Sequence, residues 1–274
     1  MNLKYSVLMA VYEKEKPIFL RQSIESMLQQ TAKPNEFIIV EDGRLPVELE
    51  QIILEYEEKF PHLFKIIRRE NNEGLAICLN IGLKVANNDL IARMDSDDIS
   101  LSTRCEKELY EFWHDPNLDV CGTQITEFED DDLQKLRKSR IVPLTDSDIK
   151  KFMQNRQPFN HPSVMYKKRS VLKFGGYYTL KRKEDFDLFS RMLNGGCKAK
   201  NINEVLLLYR VSSENTFRRK NWMNTSAAIK VYWRHFKRGG CSLVQYINIC
   251  MAELLFLILP NRVVKYFTDK YLRQ

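Results

Sequence analysis

The first 126 residues alternate between short apolar runs rich in β-forming residues and longer stretches with helical periodicity. The apolar runs cover residues 5–11, 36–40, 64–67, 90–94 and 119–126, and the helical stretches cover residues 18–30, 47–59, 75–86 and 103–113. This alternation predicts an α/β fold, with a mostly parallel sheet and helices on both of its faces. In such open sheets, ligands bind beyond the carboxyl ends of the strands, where the strand order reverses.

The regular alternation stops after residue 126. Residues 127–140 are acidic and then basic with little apolar content, which predicts an exposed excursion. The pattern beyond it predicts a helix near residues 148–154, a strand at 164–166, a helix at 184–193 closed by Asn194-Gly195-Gly196, and a last strand at 205–209. The polar stretch 212–221 then separates this globular part from a helical tail.

Composition narrows the classes of protein that fit this chain. With 274 residues and 44% apolar content, the chain can bury one large core together with a smaller appendage. Its six cysteines are scattered without a close pair, so neither a disulfide framework nor a zinc site is indicated, and a reducing cytoplasm is the expected compartment.

The net positive charge of the chain comes entirely from the tail. From residue 217 to the end, eleven Lys and Arg residues stand against two acids, a balance of +9 that leaves the first 216 residues at −2 of the total +7. Because the excess is confined to an aromatic and apolar tail, we expect no nucleic-acid partner. Residues 243–259 are marginal in length for a membrane span, which favours a helix lying on an anionic membrane surface. A helical pair packed on the globular domain, or joining two copies in a homodimer, is the alternative.

The strand at residues 90–94 ends in three closely spaced carboxylates. Asp95, Asp97 and Asp98 follow the apolar run directly. Hard divalent cations prefer carboxylate oxygens and complete their shell with substrate phosphates, so this pattern indicates a site for a metal and a phosphate. The structural alternative is a solvated acidic turn in which Asp98 caps the next helix.

Further candidate residues follow the other strands. Tyr12 and Glu13 come after the first strand, and Asp42 follows the second, immediately before Gly43. A carboxylate at that place can accept hydrogen bonds from a base or a ribose, or simply form a turn. Asn72 lies in a turn that opens a helix, whose amino terminus can serve an anion. The strand ends are expected to bring these residues and the three aspartates to one rim.

These segments, taken in order, resemble the family 2 glycosyltransferases, the large GT-A-type group that makes bacterial capsule, O-antigen and related polysaccharides. The resemblance covers roughly the first 210 residues. Each motif is weak, but the ordered set is specific. The matching segments are residues 6–13, 26–31, 41–43, 72–82, 95–98, 160–164, 175–177 and 184–188, with Arg191.

The resemblance implies roles for the acidic residues. Asp97 would bind Mn²⁺ or Mg²⁺ directly, with Asp98 supporting the site. Asp95 would lie near the ribose and diphosphate of the donor. Asp185 would be the catalytic base, although the amino terminus of a helix is also where an aspartate caps. One base and one metal at the leaving group imply a single displacement with inversion.

The resemblance also implies how the chain divides. Tyr12, Glu13, Asp42 and Asn72 would line the nucleotide pocket. A GT-A catalytic domain would span residues 1–216, with a nucleotide-binding part of about 1–126 and an acceptor-binding part of about 140–216. A basic amphipathic tail would span 217–274.

One departure from the family pattern concerns the residues after the last strand. Many relatives carry a histidine shortly after the Tyr-Arg pair, but here Tyr209-Arg210-Val211 is followed by Ser212 and Ser213. Arg210, Arg218 or Arg219 could meet the phosphates in its place.

The resemblance implies a metal-dependent, inverting transfer of a hexose, galactose or glucose, from a UDP-sugar to a saccharide hydroxyl. The acceptor is expected on a polyprenyl diphosphate lipid, with the enzyme peripheral on the inner face of the cell membrane. The alternatives are another enzyme class, such as a nucleotidyltransferase, or a non-catalytic basic membrane-binding module. Substitution of Asp97 separates them, because a binder that uses the tail would be indifferent to it.

Overall fold

The computed structural model describes residues 3–129, 132–211 and 220–260, together with residue 263. The strands are β1 (Tyr5–Tyr12), β2 (Glu36–Asp42), β3 (Phe64–Arg68), β4 (Leu90–Asp95), β5 (Ile99–Ser100), β6 (Leu118–Glu129), β7 (Asp132–Arg140), β8 (Met165–Lys167) and β9 (Lys198–Val211). The helices are α1 (Pro17–Leu28), α2 (Val47–Lys59), α3 (Leu75–Val85), α4 (Arg104–His114), α5 (Asp146–Met153), α6 (Lys168–Lys173), α7 (Glu184–Asn194), α8 (Trp222–Lys237) and α9 (Leu243–Ile258).

All of these strands join one sheet. Its order is β3-β2-β1-β4-β8-β6-β9-β5, and β7 pairs with β6 outside this path. The first four strands in this order run parallel, connected by α1, α2 and α3, as the alternating sequence pattern predicts. The chain first adds strands on one side of β1 and then returns to place β4 on its other side. The strand order therefore reverses beside β1, and a crevice opens at the carboxyl ends of β1 and β4.

Both faces of the sheet are covered, because alternate residues of each strand point to opposite faces. In β1, Tyr5, Val7 and Met9 join the core formed with α1, α2 and α4, while Leu8 joins the core on the other face. That second core includes side chains from α3, α5 and α7. The mostly parallel sheet with flanking helices is thus confirmed.

The prediction of an exposed excursion at residues 127–140 is wrong for its first residues, because Glu127 and Phe128 are buried, whereas Leu136 is exposed as expected. Strand β6 continues to Glu129, and β7 pairs with it antiparallel, with Ile125 opposite Arg140. A strand at the edge of a sheet can be rich in charged residues, so low apolar content did not exclude pairing here. The last strand begins at Lys198, earlier than expected, and β5 and α6 are too short to have given a recognisable pattern.

The predicted helical tail is present as α8 and α9, and it packs against α7. The ring of Phe186 on α7 lies 4.7 Å from the ring of Tyr232 and 5.2 Å from that of His235, both on α8. Within the described part of the chain, no helix is long and apolar enough to cross a membrane. Most of the predicted linker and the tail residues Arg262 and Lys265 lie outside the described residues.

Candidate active site

The register of the sheet brings the predicted strand-end residues to one rim. Tyr12 lies opposite Asp42 across β1 and β2, and Asp95 lies opposite Ala10 across β4 and β1. Glu13 follows Tyr12, and both side chains are exposed. This rim is the crevice at which the strand order reverses, so these residues and the aspartate cluster surround the same opening.

Asp95, Asp97 and Asp98 form a compact carboxylate cluster. Each contributes an oxygen, and these oxygens lie within 4.8 Å of one another. Asp98 is fully buried; its Oδ1 accepts a hydrogen bond from the Arg210 backbone N–H at 2.8 Å, and its Oδ2 has no hydrogen-bond partner among the described residues. Burial, together with Asp95 and Glu15, raises the pKa of Asp97 to about 7. Closely spaced carboxylates with an unpaired buried oxygen are the donor set that a divalent cation needs.

Arg93 and Ser23 both contact Asp95 of the cluster. Arg93 is 2% exposed and forms an ion pair with Asp95. The Ser23 hydroxyl of α1 donates to the Asp95 carbonyl at 2.6 Å. The Ser96 hydroxyl donates to Glu15, and burial raises the pKa of this carboxyl. Neither Arg93 nor Glu15 was singled out from the sequence, because Arg93 interrupts an apolar strand and Glu15 lies in a turn without a motif.

Arg210 supports the acidic loop from the last strand. Its Nε donates to the Asp97 carbonyl at 2.7 Å, and its guanidinium carbon lies 3.7 Å from the Phe19 ring centre and 4.5 Å from that of Phe128. A contact of Arg210 with donor phosphates stays a prediction. Ser212 and Ser213, where the family pattern differs, and Arg218 and Arg219 lie outside the described residues.

Asp42 ties the end of β2 to the start of α3. Its Oδ1 accepts hydrogen bonds from the backbone N–H groups of Glu73, at 2.7 Å, and Gly74, at 3.1 Å. The neighbouring Gly43 has a φ of +89°, and a Cβ there would lie 2.9 Å from the backbone nitrogen of Asn72. Asp42 is therefore a structural anchor of this turn, and it holds the exposed Asn72 beside the rim.

Asp185 lies in the first turn of α7, in the second half of the chain. Gln157 Nε2 donates to its Oδ2 at 2.8 Å, and the Phe186 N–H donates to its Oδ1 at 2.8 Å. Burial alone would raise the pKa of Asp185, but His161 and these two hydrogen bonds lower it below its ordinary value. Burial and Arg93 lower the pKa of His161 to about 3, so that ring is neutral at pH 7 and the hydrogen bonds remain as the main stabilisation of the carboxylate.

Charged residues of the first half of the chain influence pKa values at the start of α7. Arg93 and Asp95 both influence the pKa of His161, and both influence that of Glu184, which burial and Asp185 raise to about 7. His161 Nε2 also lies 2.9 Å from the Tyr177 hydroxyl. Asp95 and Asp185 both influence the pKa of His161 and that of Glu184, which places the start of α7 near the aspartate cluster. Gln157 was missed in the sequence because nothing in its neighbourhood marks it as the partner of a residue 28 positions away.

Asp187 has a different environment from Asp185. It is fully buried, and its carboxylate pairs with Arg191 at 2.8 Å and with Arg238 of α8 at 2.9 Å. A fully buried carboxylate held by two guanidinium groups has no access to a substrate. Asp187 therefore fastens α7 to the tail.

The sequence has clear relatives among characterised and uncharacterised glycosyltransferases. The family model described as "Glycosyl transferase family 2" matches residues 6–179. A UDP-Gal:alpha-D-GlcNAc-diphosphoundecaprenol beta-1,3-galactosyltransferase of Escherichia coli is 33% identical, with 99% of this chain and 97% of that protein covered. The amylovoran biosynthesis glycosyltransferase AmsE of Erwinia amylovora is 29% identical, with 97% and 98% covered.

Solved structures share the fold. Staphylococcus aureus TarS 1-349 in complex with UDP has a TM-score of 0.66 at 17% identity, covering 98% of this chain and 75% of that one. The mannosyltransferase PcManGT of Pyrobaculum calidifontis, in complex with GDP-Man and Mn²⁺, has a TM-score of 0.64 at 13% identity, covering 92% and 69%. These likenesses show the GT-A-type fold. Because the family model spans more than half of the chain and a relative 33% identical aligns along almost its whole length, the chain belongs to glycosyl transferase family 2.

Proposed function

We propose that this protein transfers a hexose, galactose or glucose, from a UDP-sugar to a saccharide hydroxyl with inversion, in a metal-dependent reaction of bacterial surface polysaccharide synthesis. The observation that carries the proposal is the compact cluster of Asp95, Asp97 and Asp98, near which α7 begins with Asp185 in its first turn. It combines a place for a cation and a diphosphate with a carboxylate that can accept a proton. Residues 1–216 would form the catalytic domain, and 217–274 the tail.

Asp97 and Asp98 would hold Mn²⁺ or Mg²⁺, and Asp95 would lie beside the ribose and diphosphate. When bound, the cation supplies Lewis-acid stabilisation of the departing diphosphate. The chain's own part is to hold the carboxylates in place, which Arg210 and Ser23 do through the backbone of the loop.

The UDP group would bind along the rim of the first half. Tyr12 and Glu13 are exposed at the end of β1, and Asp42 is fixed at the end of β2, with remaining acceptor capacity for a uracil N–H. Asn72 is exposed beside them, in the turn before α3. These residues would bind and orient the nucleotide without taking part in bond breaking.

Asp185 would act as the base. The acceptor oxygen attacks the anomeric carbon, the bond from that carbon to the diphosphate oxygen breaks with its electron pair leaving on UDP, and the acceptor proton passes to Asp185. The hydrogen bonds from Gln157 and Phe186 fix the carboxylate and keep it ionised at neutral pH. Attack from the face opposite the leaving group inverts the anomeric centre.

The Escherichia coli relative, by its name, uses UDP-Gal and an acceptor carrying a diphosphoundecaprenol group. Its alignment covers almost the whole of both chains, so a galactosyl donor and a polyprenyl-diphosphate-linked acceptor are the first candidates for this protein. A lipid-linked acceptor would require the enzyme to work at the cytoplasmic face of a membrane.

The tail offers a surface for such a membrane. The exposed side of α9 is almost entirely apolar and includes Leu243, Val244, Ile247, Met251, Leu255 and Ile258. Beside it, α8 exposes Lys230, Arg234 and Lys237 together with Trp233. Glu253 is the one acid between residues 220 and 260, and it is paired with Lys183. An apolar helix face with a basic border matches an anionic lipid surface.

Vesicle sedimentation tests this surface. Wild-type protein should bind vesicles that contain phosphatidylglycerol and bind phosphatidylcholine vesicles less, and Met251→Glu should weaken binding. Leu54→Glu, which alters an exposed leucine of α2, is the matched control and should bind as wild type does. A homodimer through α9 is the competing arrangement. In that case analytical ultracentrifugation should show a dimer of the wild type, and Met251→Glu should dissociate this dimer. Neither protein should then bind vesicles.

The transferase activity itself is tested by UDP release from a panel of UDP-sugars, with Mn²⁺, with EDTA, and with the variants Asp97→Ala and Asp185→Asn. We expect EDTA-sensitive release from one donor, abolished by Asp97→Ala. Transfer to an acceptor should also be lost in Asp185→Asn. Absence of both UDP binding and turnover under every condition would contradict the proposed function.

A further inference from the structure

Lys183, the residue immediately before α7, has an unusual backbone conformation. Its φ of 61° places it in the left-handed region, and it is the one non-glycine residue with a positive φ in the part of the chain that the structure describes. This region is sterically unfavourable for a residue with a Cβ, and such strain persists only where surrounding contacts hold it. Lys183 also makes no side-chain cap of the helix, so the contacts that hold it must come from elsewhere.

Those contacts come from the tail. The Lys183 ammonium lies 2.9 Å from the Tyr232 hydroxyl of α8 and 2.9 Å from Glu253 Oε1 of α9. It also lies 4.6 Å from the centre of the Tyr232 ring. The side chains of Lys183 and Glu253 are only 22% and 15% exposed, so water screens this pair much less than it would a surface pair.

The same turn of α7 carries the proposed base. Asp185 is two residues beyond Lys183, and the ring of Phe186 packs against both Tyr232 and His235 of α8. Of the four residues from 183 to 186, the first and last are therefore fixed by the tail, and Asp185 lies between them. A base must lie within hydrogen-bond reach of the attacking hydroxyl, so a small rotation of this turn would displace its carboxylate.

We propose that Lys183 is a positioning residue through which the tail helices α8 and α9 set the orientation of Asp185. The inference rests on the proposed transferase function and deepens it. It assigns to the tail a part in catalysis that is separate from any contact with a membrane.

Two variants test the proposal by different routes. Lys183→Gly keeps the left-handed backbone, which glycine adopts without strain, but removes the ammonium. Glu253→Gln keeps Lys183 and removes its charged partner in α9. Both should lower kcat for transfer by about tenfold to a hundredfold, because a displacement of about 1 Å at a reacting group can have an effect of that order. The KM for the UDP-sugar should change little, since the donor binds on the other side of the crevice.

Further comparisons separate positioning from folding. The double variant should lose no more kcat than the worse single variant, because both changes break one contact. Lys183→Arg, which preserves a cation, should recover part of the loss. Lys181→Gly is the matched control, because Lys181 is exposed and its described contact is with the Met223 sulfur at 3.5 Å; its kcat should equal that of wild type. Circular dichroism and thermal unfolding of each variant establish the folded fraction to which kcat is referred.

The result that overturns the inference is a wild-type kcat in Lys183→Gly and Glu253→Gln while Asp185→Asn is inactive. A lowered melting temperature with unchanged kcat overturns it equally, since that pattern shows a purely structural pair. Either result would leave the proposed function intact. A wild-type protein that neither binds UDP nor transfers sugar would instead remove the proposed function and this inference with it.

Discussion

The two sides of the crevice hold their carboxylates by different means. On the donor side, Asp95 ends a central parallel strand, and the backbone register of β1 and β4 fixes its place. On the opposite side, Asp185 begins a helix whose orientation depends on side-chain contacts with Gln157 and with the C-terminal helices. The first arrangement is set by a hydrogen-bond ladder within the sheet. The second is set by pairs of residues far apart in the sequence.

This difference predicts that substitutions affect the two sides of the site differently. Backbone pairing tolerates the exchange of side chains, so β4 should keep its register when a single carboxylate at its end is replaced. The base side relies on individual side chains, and buried ion pairs are costly to break when only one partner is removed. The position of Asp185, and with it the rate of transfer, should therefore respond to substitutions well away from the crevice.

The largest expected effect is that of Asp185→Asn on catalysis. If Asp185 is the base, as proposed, its loss should reduce kcat for transfer by about 10²–10⁴-fold, the range that general-base catalysis contributes. Affinity for UDP, measured by calorimetry in the presence of Mn²⁺, should stay at the wild-type value because the proposed nucleotide site lies on the donor side. A parallel fall in UDP affinity would show that the two sides are not separable.

Asp187→Ala should produce the largest loss of stability. It leaves Arg191 without its buried partner, and breaking a buried ion pair from one side typically destabilises a protein by about 3–5 kcal/mol. Urea unfolding measures this. The control is Glu70→Ala, which removes a carboxylate paired with Arg44 at the surface, where both side chains are more than three-quarters exposed. It should cost less than about 1 kcal/mol. Equal losses would contradict the contrast between the two sides.

Asp97→Asn should reduce turnover by about 10²–10³-fold, similar to the removal of one charge-stabilising group in other enzymes. We expect Mn²⁺ to increase the affinity of the wild type for UDP, and in contrast to Asp185→Asn this variant should abolish that increase. Without metal, Asp97→Asn should raise the melting temperature, because it removes one of three mutually repelling carboxylates. A normal response to Mn²⁺ in this variant would argue that the cation binds elsewhere.

The smallest expected effect is on the pH dependence of stability, and it comes from two histidines near α7. Burial and Arg238 lower the pKa of His235 to about 4, and His161 is lowered to about 3, whereas an unfolded histidine titrates near 6.5. Between about pH 6.5 and pH 4, the unfolded chain therefore binds protons that the folded chain does not, and stability is lost as the pH falls. Each ring contributes up to about 1.4 kcal/mol per pH unit.

Urea unfolding of wild type and His235→Gln at pH 7, 6 and 5 isolates the contribution of that ring. The wild type should lose more stability than the variant on acidification. Taking the difference between the two proteins removes the opposite contribution of Asp97, whose raised pKa favours the folded state as the pH falls. An identical pH dependence would show that folding leaves the pKa of His235 unchanged.

Sequence reasoning was most successful where a local pattern determines the structure. The alternation of strands and helices predicted the parallel half of the sheet, and residues 47–59 matched α2 at both ends. The aspartates at the end of β4 could be placed at the rim for the same reason. Asp42 and Asn72 were expected beside each other, but the sequence could not decide whether Asp42 serves the nucleotide or the turn, and the structure shows the turn contacts.

Contacts between distant segments could not be predicted. Nothing local indicates that Arg210 reaches the loop of Asp97 and Asp98, or that Gln157 holds Asp185. The pairing of β7 with β6 was missed because its residues are charged, and charge predicts exposure but does not exclude an edge strand.

The place of β9 in the sheet has a consequence for how the protein is made. This strand lies between β6 and β5, and it supplies the Arg210 N–H that binds Asp98. Since β6 ends at Glu129 and β9 begins at Lys198, a ribosome adding about 5–20 residues per second needs on the order of ten seconds between them. During that interval β6 lacks its longest neighbour. The aspartate loop, in the first half of the chain, is thus completed only by a strand synthesised much later.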